Sequence, residues 1–145
     1  DKLVELGRRG QKTGAGYYAY DPQTRERKID PIVGELVTEY AKKAGGEQRK
    51  ASDQEILERC LYSMVNEGAK ILEEGIALRA SDIDVVWVNG YGWPVYRGGP
   101  MFWADTVGLK NVVESLKAYQ AKFGDSWKPS GLLVKLAEQG KSFTR

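Results

Sequence analysis

Ser52-Asp53-Gln54-Glu55-Ile56-Leu57-Glu58-Arg59-Cys60-Leu61-Tyr62-Ser63-Met64-Val65-Asn66-Glu67-Gly68-Ala69-Lys70-Ile71-Leu72 decides the fold. Ser52 with Glu55 three residues on is a capping box, in which the hydroxyl serves one free N–H of the first turn and the glutamate reaches back to another. Two apolar rows then run down one face, Ile56, Cys60, Met64 and Leu57, Leu61, Val65, continuing to Ile71, Leu72 and Ile76. The spacing predicts a helix that reaches Ala77 or Leu78, ~40 Å long at 1.5 Å per residue. Such a helix forms the spine of its domain. Gly68 and Gly75 fall on its apolar side. A glycine inside a helix costs ~1 kcal/mol relative to alanine, so the pair predicts tight packing against another backbone.

Outward from the spine, the other elements are also helical. Asp30 caps a helix that places Pro31 at its first position, with Ile32, Val33, Leu36, Val37 and Tyr40 on one face and Gly45-Gly46 at its end. Ser81 is read as the cap of a short helix through Trp87, with Asp82 and Asp84 as first-turn charges that suit the helix dipole. Two carboxylates two residues apart on a helix do not converge, so they make neither a metal pair nor an acid/base pair. Trp93-Pro94 and Gly98-Gly99-Pro100 form a rigid bend. A short helix from Met101 to Val107 follows, then Leu109 to Phe123 with Val112, Val113, Leu116, Tyr119 and Phe123 inward, and a last helix after Pro129-Ser130-Gly131. Residues 1–28 carry Gly7, Gly10, Gly14 and Gly16 among Arg8, Arg9 and Lys12, with one short extended segment at Tyr17 to Tyr20. No run alternates long enough for a sheet core. The expected product is an all-α domain with one long central helix.

Composition narrows what the chain does. The 145 residues suffice for one domain with an attached tail, and 41% hydrophobic and 29% charged residues are ordinary for a globular protein. A formal charge of +2, with lysines and arginines spread along the chain, points away from nucleic acid. The single cysteine, Cys60, excludes a disulfide framework and the usual zinc patterns, and favours a reducing compartment. No apolar run reaches the ~18 residues of a membrane span. The start at Asp1 reads as an excised or processed segment. There is no histidine, the side chain whose unperturbed pKa lies nearest neutrality. Neither Gly7-Arg8-Arg9-Gly10 nor Gly14-Ala15-Gly16 follows a strand and opens a helix, as a dinucleotide turn must.

Asp82-Ile83-Asp84, Gly90-Tyr91-Gly92-Trp93-Pro94, Gly98-Gly99-Pro100-Met101 and Val107-Gly108-Leu109 form a spaced pattern. It resembles the C-terminal domain of 3-hydroxyacyl-CoA dehydrogenases, specifically the second, degenerate copy at the end of multifunctional β-oxidation enzymes. The resemblance implies that residues 1–28 are the tail of a preceding unit and residues 29–145 the helical domain. It implies NAD for the full-length enzyme, bound in an upstream nucleotide-binding domain that also supplies the catalytic histidine; this chain is expected to hold no cofactor and no metal. In the active copy the long helix opens with an Asn-Arg pair whose asparagine faces substrate. Here Glu58-Arg59 takes that place, and an ionised glutamate donates no hydrogen bond. Asn66 does not occupy the position, so no catalytic residue is assigned.

The expected partners are the sister C-terminal copy and the nucleotide-binding domain of the same enzyme, with pairing of the isolated chain with itself as a further outcome. Trp87, Tyr91, Trp93, Tyr96, Phe102 and Trp103 are the candidate interface residues. Acyl-CoA is the candidate ligand, with Arg8, Arg9 and Lys12 as candidate phosphate contacts and Gly68 and Gly75 as an alternative acyl-chain cleft. A third alternative is an enzyme that works through Glu55, Glu58 or Glu67. The end Lys141-Ser142-Phe143-Thr144-Arg145 is not a Ser-Lys-Leu address, which favours bacterial cytoplasm.

Overall fold

A computed structural model describes residues 2–45 and 49–144. The chain divides into two compact units, Asp1–Lys50 and Ala51–Arg145. In the first, a one-turn helix α1 (Lys2–Glu5) and a 3-10 turn (Gln11–Thr13) precede strands β1 (Tyr18–Tyr20) and β2 (Arg27–Ile29) and helix α2 (Pro31–Lys43). The strands pair antiparallel, Tyr18 with Ile29 and Tyr20 with Arg27. The extended segment at Tyr17 to Tyr20 thus has a partner that its charged sequence did not announce. Gly16 is glycine because a Cβ there would meet the Gly10 backbone at 2.8 Å. Asp30 caps α2 as expected, its carboxylate accepting from the Ile32 N–H at 3.1 Å. Gly45, at φ +70°, follows the helix end, whereas Gly46 lies outside the described residues.

The second unit holds α3 (Asp53–Glu73), α4 (Ala80–Gly90), α5 (Pro100–Val107), α6 (Leu109–Phe123) and α7 (Gly131–Glu138), with 3-10 turns at Val95–Arg97 and Asp125–Trp127. Ser52 and Ser130 cap α3 and α7 through N–H bonds from Glu55 and Leu133, both at 3.1 Å. Helix α3 stops at Glu73, a turn short of the expected end, and spans ~32 Å. Gly75 is the cause: at φ +72° it takes the left-handed position that closes a helix, so it is not a packing glycine inside one. Gly68 is one, but what packs on it is a side chain and not the expected backbone: a Cβ there would meet the Met101 sulfur at 2.6 Å.

The core uses only part of the apolar rows of α3: of Ile56, Cys60, Met64, Leu57, Leu61 and Val65, Val65 alone is buried. Tyr62, Val65 and Ala69 face Ala104, Leu109, Val112, Val113, Leu116 and Leu133. Ile56, Leu57 and Cys60 are exposed instead. Asn66, buried in this face, donates to the Lys128 carbonyl at 2.9 Å and accepts from the Ser130 N–H at 2.8 Å. It fixes the entry to α7. The chain end is held in a similar way, for Asp105 on α5 accepts from the Phe143 N–H at 2.8 Å and the Thr144 N–H at 3.0 Å.

The start of α4 corrects two further expectations. Arg79, not Ser81, is the cap residue, and its backbone N–H donates to Asp82 at 3.2 Å. Asp84 is not a first-turn charge for its own helix: its buried carboxylate accepts from the Met101 N–H at 2.7 Å and the Phe102 N–H at 3.1 Å, capping α5. Gly99 lies against it at φ +98°, where a Cβ would fall inside the van der Waals envelope of three Asp84 atoms. Asp84, Gly99 and Pro100 therefore form one helix junction.

Candidate functional site

The exposed half of α3 and the bend after α4 enclose an open cavity of about 510 Å3 in the second unit. Leu57, Leu61 and Met64 form its apolar floor, which explains why these members of the rows are not core. Its wall is a run of rings. Trp87 lies 4.9 Å from Tyr91 and 6.3 Å from Trp93 between ring centres, and Trp93 lies 6.2 Å from Trp103. Tilted and edge-on pairs at these separations are favourable through the ring quadrupoles. The indole N–H of Trp93 is buried with no acceptor among the described residues.

The structure sorts the six candidate interface residues. Trp87, Tyr91, Trp93 and Trp103 line the cavity, while Tyr96 and Phe102 do not. Trp93 is buried, Trp87 and Trp103 are half-buried, and Tyr91, Tyr96 and Phe102 are 70%, 84% and 41% exposed. Val85, Val86 and Val95 add exposed apolar surface on α4 and the bend.

Glu58 and Arg97 are the charged side chains at the cavity. One Glu58 oxygen accepts from the Tyr119 hydroxyl at 2.6 Å and the other from the Gln54 amide at 2.8 Å. Burial and then the bond to Glu58 push the Tyr119 hydroxyl well above its ordinary pKa, so it stays a donor. Arg59 turns the other way, its guanidinium 4.5 Å from the Phe123 ring centre and 5.5 Å from that of Trp127, with Glu55 at 3.8 Å. Of the carboxylates of the alternative enzyme reading, Glu55 pairs with Arg59 and, with Glu58, lies near the Tyr119 hydroxyl, whereas exposed Glu67 pairs with Lys70 at 3.1 Å. Among the described residues no group of three or more His, Cys, Asp or Glu is placed to hold a metal ion.

In the first unit, Arg8 is turned into its own fold. It donates to the Gly16 carbonyl at 3.0 Å and to Asp30 at 2.6 Å, and so ties the glycine-rich segment to the capped end of α2. Arg9 and Lys12 are exposed. The glycine amides are used as well: the Gly10 N–H donates to Ala15 and the Gly16 N–H to Tyr18. A dinucleotide site needs such amides free at a helix start after a parallel strand, and the described residues do not fit NAD. Among them no helix is long and apolar enough to cross a membrane.

A family model described as the 3-hydroxyacyl-CoA dehydrogenase C-terminal domain matches residues 56–144. The chain is 52% identical over 143 residues to the peroxisomal bifunctional enzyme of Homo sapiens, covering 97% of this chain and 20% of that protein. It is 37% identical over 147 residues to the fatty acid oxidation complex subunit alpha of Shewanella frigidimarina, covering 99% and 19%. The solved dehydrogenase part of multifunctional enzyme 1 from C. elegans superposes with a TM-score of 0.70 at 29% identity, covering 92% of this chain and 31% of that one. The chain spans about a fifth of the length of the relatives it matches. The preference for bacterial cytoplasm is overturned, since the human peroxisomal enzyme is more similar than the bacterial subunit; a terminus without Ser-Lys-Leu says nothing when the chain covers so little of its relatives. With the helical architecture and the matched residues in agreement, the chain belongs to the 3-hydroxyacyl-CoA dehydrogenase C-terminal domain family.

Proposed function

We propose that this chain is the non-catalytic C-terminal domain of a multifunctional 3-hydroxyacyl-CoA dehydrogenase acting in fatty-acid β-oxidation. It docks on the sister copy of the domain and braces the acyl-CoA site from outside. Residues 1–28 are the tail of the preceding unit. NAD and the catalytic histidine belong to the nucleotide-binding domain upstream, and no step of the reaction runs through this chain. The observation that carries the proposal is Glu58. Where the active copy has an asparagine facing substrate, this side chain is held by Tyr119 and Gln54 inside its own domain. Exposed Tyr91, Tyr96 and Phe102 beside the cavity supply the docking surface, because aromatic side chains of this kind anchor interfaces.

The test is made in the enzyme that carries this chain. Glu58→Ala is expected to leave kcat for dehydrogenation within about twofold, whereas loss of a participating acid or base costs ~100-fold or more. A loss of that size would refute the non-catalytic role. Calorimetric titration of the chain with a CoA thioester is expected to give no saturable heat. Saturable binding, lost in Arg9→Ala/Lys12→Ala, would instead make the chain an acyl-CoA-contacting module.

A further inference from the structure

We infer that the aromatic cavity recognises a cationic side chain, a lysine ammonium or arginine guanidinium projecting from the domain that docks there. The inference rests on the docking reading above and adds the chemistry of the occupant. Glu58 faces the cavity with a charge that no cation neutralises among the described residues, both of its bonds coming from neutral donors. A carboxylate offers about four lone-pair sites, and two of them remain. Arg59, its neighbour in sequence, is occupied by Phe123, Trp127 and Glu55. Arg97 holds its guanidinium 5.5 Å from the ring centre of Tyr96, a ring outside the cavity. The rings of Trp87, Tyr91 and Trp103 line the same cavity as Glu58, and aromatic faces carry the negative part of the ring quadrupole, which attracts cations. A carboxylate and aromatic rings lining one cavity suit a cation on an alkyl stem whose methylenes pack on Leu57 and Leu61. A carboxylate-bearing or purely apolar partner would leave Glu58 desolvated and uncompensated.

The probes are n-butylguanidinium and n-butylammonium, with 1-pentanol as the neutral control, titrated into the 145-residue chain and followed by tryptophan indole N–H shifts. For ligands of this size a Kd on the order of 1–10 mM is expected for the cations. Glu58→Gln keeps an acceptor for Tyr119 and removes the charge, so it should weaken the cations about fivefold and leave pentanol unchanged. Trp87→Ala should weaken all three. Equal affinity of pentanol and the cations, a Glu58→Gln effect below about twofold, or no saturable shift would overturn the inference. The docking reading has its own readout, the association of the chain in sedimentation with Tyr91→Ser/Tyr96→Ser as the control. Loss of association in that variant while the cations ignore Glu58→Gln would leave docking standing and remove the charge recognition.

Discussion

Gly99→Ala is the substitution whose cost the structure specifies most closely. Gly99 has φ +98°, and a non-glycine residue held in that region costs roughly 1–3 kcal/mol. The added methyl would also overlap Asp84, whose Cβ as well as carboxylate lies in the way, so no rotation of the aspartate makes room. Overpacking of this kind adds roughly 1–3 kcal/mol. The total is ~4 kcal/mol, a large part of the stability of a domain this size. Gly75→Ala is the matched control. It has φ +72° but nothing within 4 Å of where a Cβ would stand, so only the backbone cost applies. Urea denaturation followed by tryptophan emission reads the second unit selectively, because Trp87, Trp93, Trp103 and Trp127 all lie within it. At a slope of about 2 kcal/mol per molar urea, Gly99→Ala should lower the midpoint by about 2 M and Gly75→Ala, with the backbone cost alone, by about 0.5–1.5 M. Equal shifts for the two glycines would refute the argument that Asp84 and Gly99 form a single packed junction.

Two further outcomes follow from the charged groups. Burial pushes the Asp84 carboxyl above its usual value near 3.8, against the pull of the two N–H donors. A raised folded pKa means that the group's contribution is full below the unfolded value and lost as pH rises through the folded pKa; the stability of the protein minus that of Asp84→Asn should therefore decline from pH 3 upward, and a rise across that window would contradict it. Asp30 is the opposite case, held below the carboxylate range first by Arg8 and then by the Ile32 N–H. Arg8→Ala should move the Asp30 pKa up in a carbon-13 titration, and an unmoved value would show that the Arg8 contact does not persist in solution.

The helices were legible where one residue acts on its own neighbours. Asp30, Ser52 and Ser130 cap within three positions, and Gly108 and Gly124 stop helices at the residue expected. Asp84 was not legible, because its partners lie 17 and 18 residues ahead and only the folded bend brings them to it. The inward face of α3 was misjudged in part for a related reason: Leu57 and Leu61 are apolar at helical spacing, yet they line an open cavity. Gly68 and Gly75 looked alike in the sequence, and only their φ values separate a packing glycine from a terminating one. Of the site, the aromatic residues were visible as a segment. The setting of Glu58 was not, since Tyr119 reaches it from 61 positions away.

Asn66 carries a consequence for how the protein is made. Its buried amide waits for Ser130, 64 residues later in the chain. At a synthesis rate of 5–20 residues per second that separation corresponds to about 3–13 s. For much of that interval Tyr62, Val65 and Ala69 of the central helix lack their core partners, because α6 is completed only at residue 123 and α7 follows residue 130. Slowed translation between codons 66 and 130 should therefore lower soluble yield more than the same delay placed before residue 50.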